Sequence, residues 1–201
     1  MTDDNQESCA EPVSEMPASH RRQIDDGLRQ SLLKAGVPRP FHDRSIRDVE
    51  GGNAVADWIL SEGKKRVHTG GGFTLYASGR KASELMILSA RVYHMNGVGS
   101  LFLDSVRLVK AITERDDAFL ERIENARALF VYRFYFADGR DDQPFTGYQR
   151  AAVESLLLKR WNRGAACFLN FNKRHDGRGS PWWRSDFLDA MDSYNATLAV
   201  A

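Results

Sequence analysis

The chain has 201 residues, 42% of them hydrophobic, enough for one domain with a core of its own and at most a small appendage. Lysine and arginine total 28 against 27 aspartates and glutamates, a net charge of +1, so no strong overall attraction to DNA or membrane is expected and any such contact must come from a local patch. The two cysteines, Cys9 and Cys167, make neither a disulfide framework nor a zinc spacing; no apolar run approaches the roughly 20 residues of a membrane helix, and the polar, acidic N-terminus is unlike a signal peptide, so a cytoplasmic protein is expected.

Residues 1–19 carry Asp3, Asp4, Glu7, Glu11 and Glu15 with Pro12 and Pro17 and no apolar period, the composition of a disordered tail. Ser19 caps an amphipathic helix over 20–35 with Ile24, Leu28, Leu32 and Leu33 on its stripe, and Gly36 and Pro38 stop it. Residues 37–50 read as irregular linker, and a helix follows over 53–62. The domain proper is expected to occupy 51–201. From residue 73 strands and helices alternate. Strands are expected over 73–76, 100–103, 128–136 and 165–169. Helices are expected over 83–95, 105–113 (capped by Asp104), 116–126, 147–161 and 184–195, with a polar loop at 137–146. This order predicts an α/β fold, a mostly parallel sheet covered on both faces with right-handed crossovers.

The segment Gly72 to Leu85 has the layout of a phosphate-binding loop: apolar strand, small-residue turn, apolar helix. A working loop reads G-x-x-x-x-G-K-[ST], and here only Gly79, an off-register Lys81 and Ser83 survive. Backbone N–H groups cradle phosphate only where glycines let the chain turn tightly, and Glu84 adds negative charge where phosphate would sit.

Leu32-Leu33-Lys34-Ala35-Gly36-Val37-Pro38-Arg39-Pro40-Phe41 resembles the "AGIP-x-R-[FY]" lead-in to the ATPase domain of DnaC/DnaI-type replicative helicase loaders and related transposon ATP-binding proteins. Phe73-Thr74-Leu75-Tyr76 resembles the strand before their Walker A loop. Met95-Asn96-Gly97-Val98-Gly99-Ser100-Leu101-Phe102 resembles their second strand. Ala128-Leu129-Phe130-Val131-Tyr132-Arg133-Phe134 falls at their Walker B strand, and Cys167-Phe168-Leu169-Asn170-Phe171-Asn172 at their sensor strand. The likeness covers residues 32–172 and implies a P-loop NTPase-like, AAA+-like three-layer sandwich.

The departures are functional. The resemblance puts Ala82 at the loop lysine, Ser83 at the Ser/Thr, Arg133 at the metal-holding Asp and Phe134 at the catalytic Glu. Asn172 alone keeps a sensor-like identity. Phosphoryl transfer depends on metal-mediated charge neutralisation and an oriented water; an arginine repels the metal and a phenylalanine orients no water. The expectation is a pseudo-ATPase with Mg-ATP binding lost and no cofactor. Arg133 has two readings, an anion contact or an ion pair with Asp138, Asp141 or Asp142. Arg80 and Lys81 read as solvated loop charges.

A basic, aromatic stretch carries Lys173, Arg174, Arg178, Trp182, Trp183 and Arg184, with Lys159, Arg160 and Arg163 extending it. Cations interleaved with rings suit single-stranded nucleic acid; the alternatives are tryptophans that anchor the tail in the core or a protein interface. The five histidines show no metal spacing, and Ser83 has no partnered base. Three functions stay open: a catalytically inactive binding or regulatory subunit in DNA replication or a mobile element, a single-strand-binding protein, and a divergent weak ATPase using Lys81. A protein partner is expected, a related AAA+ ATPase or the replicative helicase, with a homo-oligomer and single-stranded DNA as further options and no membrane. About 30 residues precede the loader-like segment, too few for a loader's helicase-gripping domain, so loading in the ordinary sense is not expected.

Overall fold

The computed structural model describes residues 18–134, 145–172 and 183–199, the side chains of 18–24 and 199 aside. Helix α1 (Ala18–Lys34) leads into two 3₁₀ turns, Arg39–Phe41 and Ile46–Asp48. Helix α2 (Gly52–Trp58) continues through a π turn, Ile59–Gly63, into α3 (Lys64–Val67). Then come β1 (Gly72–Tyr76), α4 (Gly79–Met95), β2 (Ser100–Asp104), α5 (Ser105–Glu114), α6 (Asp117–Asn125) and β3 (Ala128–Phe134). After the 135–144 segment follow α7 (Gly147–Asn162), β4 (Ala166–Phe171), α8 (Ser185–Tyr194) and β5 (Asn195–Ala199).

The five strands form one sheet in the order β2-β3-β4-β1-β5, and all four pairings are parallel. Successive side chains of β1 to β4 point to opposite faces of the sheet, and both faces are buried over most of their length. Phe73, Leu75, Phe102, Ala128, Phe130, Ala166 and Phe168 join a core with α1, α2 and α4. Leu101, Leu103, Leu129, Val131, Cys167, Leu169 and Phe171 face a second core with α5, α6, α7 and α8. Both faces are therefore covered, the environment that parallel sheets require. This is the three-layer α/β sandwich expected. Phe130 and Phe168 stack at 4.2 Å across β3 and β4.

Helix starts follow local chemistry. Asp104 accepts from the Arg107 N–H and Asp116 from the Phe119 N–H, while Thr146 and Gln149 form a capping box for α7. Three differences from the expected elements matter. Helix α4 begins at Gly79 rather than near residue 83, so the link after β1 is two residues, Ala77 and Ser78. Strand β5 was not expected; it follows α8 with no turn residue between Tyr194 and Asn195. Residues 37–50, read as linker, contain both 3₁₀ turns, and Val37, Ile46 and Val49 are buried in the α4 core. The backbone there closes the β2 edge: the Phe102 N–H donates to the Ala35 carbonyl at 2.7 Å. A Cβ on Gly36, at φ +85°, would meet the Phe102 carbonyl oxygen at 2.2 Å, so only glycine lets the chain lie that close.

The expected acidic tail lies almost wholly outside the described residues, as does the greater part of the 137–146 loop with Asp138, Asp141 and Asp142. Cys9, Lys173, Arg174, Arg178 and Trp182 also lie outside them. None of the described helices is long and apolar enough to cross a membrane.

Candidate functional site

The carboxyl ends of β1, β3 and β4 open into a pocket of about 370 Å³ lined by Ala77, Ser78, Gly79, Ser83, Arg133, Asn172 and their neighbours. Clefts at the carboxyl ends of parallel strands are where α/β folds bind ligands. The sheet order brings the positions expected from the resemblance together: Gly79, Ala82, Ser83, Arg133, Phe134 and Asn172 all border this pocket. Lys81 does not. Its ammonium lies 3.0 Å from the Glu50 carboxylate.

The entry to α4 is unlike a phosphate cradle. Gly79, at φ +72°, turns the chain straight into the helix. The Ser83 hydroxyl donates to the Arg80 carbonyl one turn back at 2.8 Å. Arg80 and Lys81 are helix residues rather than loop charges. Arg80 donates to Glu84 at 2.7 Å, and Arg44 reaches the other oxygen of the same carboxylate at 3.2 Å. These two guanidiniums hold the Glu84 carboxyl below its ordinary range, the Arg80 hydrogen bond foremost.

The end of β3 is distorted. The register with β4 slips between Val131 and Phe134, and Arg133 adopts φ +68°, a β-bulge with a non-glycine residue in the left-handed region. Two side chains hold it there. The Arg133 N–H donates to the Asn170 Oδ1 at 3.1 Å, and its carbonyl accepts from the Ser105 hydroxyl at 2.7 Å. Asn170 is buried, and its amide also donates to the Leu75 and Ala77 carbonyls at 3.1 and 3.0 Å. One side chain thus ties the ends of β1, β3 and β4 together. The bulge turns the Arg133 side chain out to solvent, its guanidinium 5.2 Å from the Tyr132 ring centre. It makes no ion pair among the described residues, and the three acids named as partners lie outside them. Phe134 returns to the core, against Phe171 at 5.3 Å and Trp183 at 5.5 Å.

The residues present do not fit a magnesium nucleotide. A two-residue link offers no loop of N–H groups to wrap a phosphate, the hydroxyl at the metal-ligand position is engaged by the helix backbone, and a cation projects where the metal would need an acid.

Asn170 and Ser105 are the positions that sequence reasoning missed. Asn170 had a signal: an amide inside the apolar run Cys167 to Phe171, two positions before the Asn172 that was singled out. Asn172 itself borders the pocket, and its N–H donates to the Phe134 carbonyl at 3.2 Å.

The basic aromatic patch does not assemble as a surface among the described residues. Trp183 is 2% exposed and packs on Phe187 at 5.2 Å, the core-anchor alternative. Arg184 pairs with the buried Glu154 at 2.8 Å and with Asp186 at 3.3 Å. Arg160 is 1% exposed and cannot contact a partner. It donates to the Ile123, Glu124, Ala126 and Ala166 carbonyls, closing the carboxyl end of α6. Lys159 is exposed and pairs with Glu124 at 2.7 Å.

The sequence matches no protein-family model and no curated protein. Solved structures share the fold. A DnaC helicase loader aligns with a TM-score of 0.63 at 14% identity, covering 82% of this chain and 100% of that one. DnaI aligns at 0.61 and 13%, covering 82% and 94%. DnaA from Aquifex aeolicus bound to AMPPCP aligns at 0.60 and 11%, covering 79% of this chain and 50% of that one. The chain spans about half the length of that DnaA and of a DNA replication initiation factor that also aligns. Its fold is the AAA+-like α/β sandwich of helicase loaders and DnaA.

Proposed function

We propose that this protein is a non-hydrolysing, loader-like subunit of a DNA replication or mobile-element assembly, acting by binding protein partners. Related active ATPases and the replicative helicase are the partners this reading favours, and a subunit without turnover can complete or block a stacked assembly. One observation carries it: the pocket at the carboxyl strand ends keeps its scaffold while its chemistry is inverted, with Arg133 held outward on a bulge and a two-residue link before α4. The fold shared with DnaC and DnaI supports the replication setting. Isothermal titration with Mg-ATP together with a phosphate-release assay tests it. No heat of binding and no release above buffer are expected; saturable binding with turnover would overturn it.

A further inference from the structure

A second charged surface lies at the opposite, amino-terminal ends of the strands. Lys64, Lys65 and Arg66 occupy α3 just before β1, all three exposed, and among the described residues none of them makes an ion pair. His68 follows, and the Arg127 guanidinium, at the start of β3, donates to its Nδ1 at 3.0 Å. Gly70 abuts the Gly164 backbone at the start of β4, where a Cβ would come within 2.8 Å. That contact sets Arg163 beside the same rim. Arg163 and Lys159 share one carboxylate, Glu124, at 3.1 and 2.7 Å. Six cations therefore lie along these strand ends, and the acid that ion pairs set among them is Glu124, shared by Lys159 and Arg163, in a chain whose net charge is only +1. Arg127 has an imidazole for a neighbour where an arginine ordinarily finds a carboxylate.

We propose that this rim is a docking surface for the phosphate backbone of duplex nucleic acid. Cations from three separate elements spread over one face can each meet a phosphate, and unpaired cations pay no penalty of breaking an ion pair on binding. The chemistry favours a duplex over a single strand. Single-strand sites add exposed rings on which bases stack, and among the described residues the exposed large apolar side chain closest in sequence to Lys64–Arg66 is the aliphatic Leu60. Trp58 is turned to Phe73, edge to face at 5.4 Å. Binding is then independent of sequence. The proposal is separate from the nucleotide pocket and stands whether or not that pocket binds ATP.

Fluorescence anisotropy of the full chain with a labelled mixed-sequence duplex, between about 50 and 200 mM salt, tests it. The neutralised variant Lys64→Gln, Lys65→Gln, Arg66→Gln is expected to bind about tenfold or more weakly, with a log–log salt slope shallower by roughly three. Arg127→Gln is expected to weaken binding in the same direction, and matched melting temperatures verify folding of both variants. Unchanged affinity and slope in the folded triple variant would overturn the proposal. So would a wild-type protein that binds no duplex, one that binds a single strand more tightly than a duplex, or one retained only on phosphatidylserine vesicles.

Discussion

Arg133 at φ +68° is a strained residue in a place where strain has a purpose. A non-glycine residue there costs about 1–2 kcal/mol, and Asn170 and Ser105 supply the hydrogen bonds that hold it. Removing those bonds should cost more than removing the strain relieves. Asn170→Ala is expected to lower stability by about 2–4 kcal/mol, because it strands the Arg133 N–H and two β1-end carbonyls in a buried setting. Arg133→Gly is expected to stay within about 1 kcal/mol of wild type, since glycine adopts this backbone freely. Urea denaturation of the two variants checks both. Glu84 gives a pH-dependent test. Its folded carboxyl titrates below the ordinary 4.5 because Arg80 and Arg44 bind the charged form. A depressed folded value means stability that is present above 4.5 and lost as pH falls through the folded value. Glu84→Gln should therefore be less stable than wild type at neutral pH, with the gap closing on acidification below 4.5. A gap constant from pH 7 to pH 3 in thermal melts would contradict this.

At the scale of elements, how much was legible depended on whether a signal was local. The strands β1 to β4 announced themselves by apolar runs, which the fold buries on both faces, and α5 by its cap Asp104. Strand β5 carries no such signal: it runs on from α8 without a turn, and only pairing with β1 makes it a strand. The start of α4 was misplaced because likeness to a phosphate loop argued for a loop through Arg80 and Lys81. Those residues take helical partners instead, Arg80 with Glu84 one turn on, and sequence spacing alone cannot say that Arg44 and Glu50 arrive from another element to complete the network. The pocket positions were legible through the resemblance, which put the ends of β1, β3 and β4 at one nucleotide site, but the clip through Asn170 is a long-range contact. The core-anchor reading of Trp183 was legible in the sequence as one alternative, but its partners were not. Its side chain seals the junction of β3, β4 and α8 against Phe134, Phe171 and Phe187. Trp183→Ala is expected to cost about 3–5 kcal/mol, somewhat more than Arg184→Ala, which takes one cation from the buried Glu154 carboxylate and leaves it Arg150. Chemical denaturation ranks the two.

At the scale of the whole molecule, the proposed loss of nucleotide chemistry has two candidate seats. If it lay in side chains alone, restoring an acid at Arg133 would restore a metal site. If it lies in the backbone, with α4 starting after a two-residue link from β1 and the β3 end bulged, no single side chain can repair it. The bulge gives a clean experiment, because aspartate tolerates the left-handed region better than most residues and Arg133→Asp should fold. An ATPase held at a hundred times its dissociation constant gains about 2.7 kcal/mol, or roughly 5–11 °C in a chain of this size. Neither the wild type nor Arg133→Asp is expected to show such a rise with millimolar Mg-ATP in a thermal-shift assay. A rise of that size confined to Arg133→Asp would place the loss in one side chain, and the scaffold would then be a nucleotide site one substitution from use. A flat response in both would show that Arg133 alone does not account for it and leave the path of the chain together with the Ala82 and Phe134 positions. Recovery would then need a longer link between Tyr76 and α4, with glycines able to bring N–H groups around a phosphate.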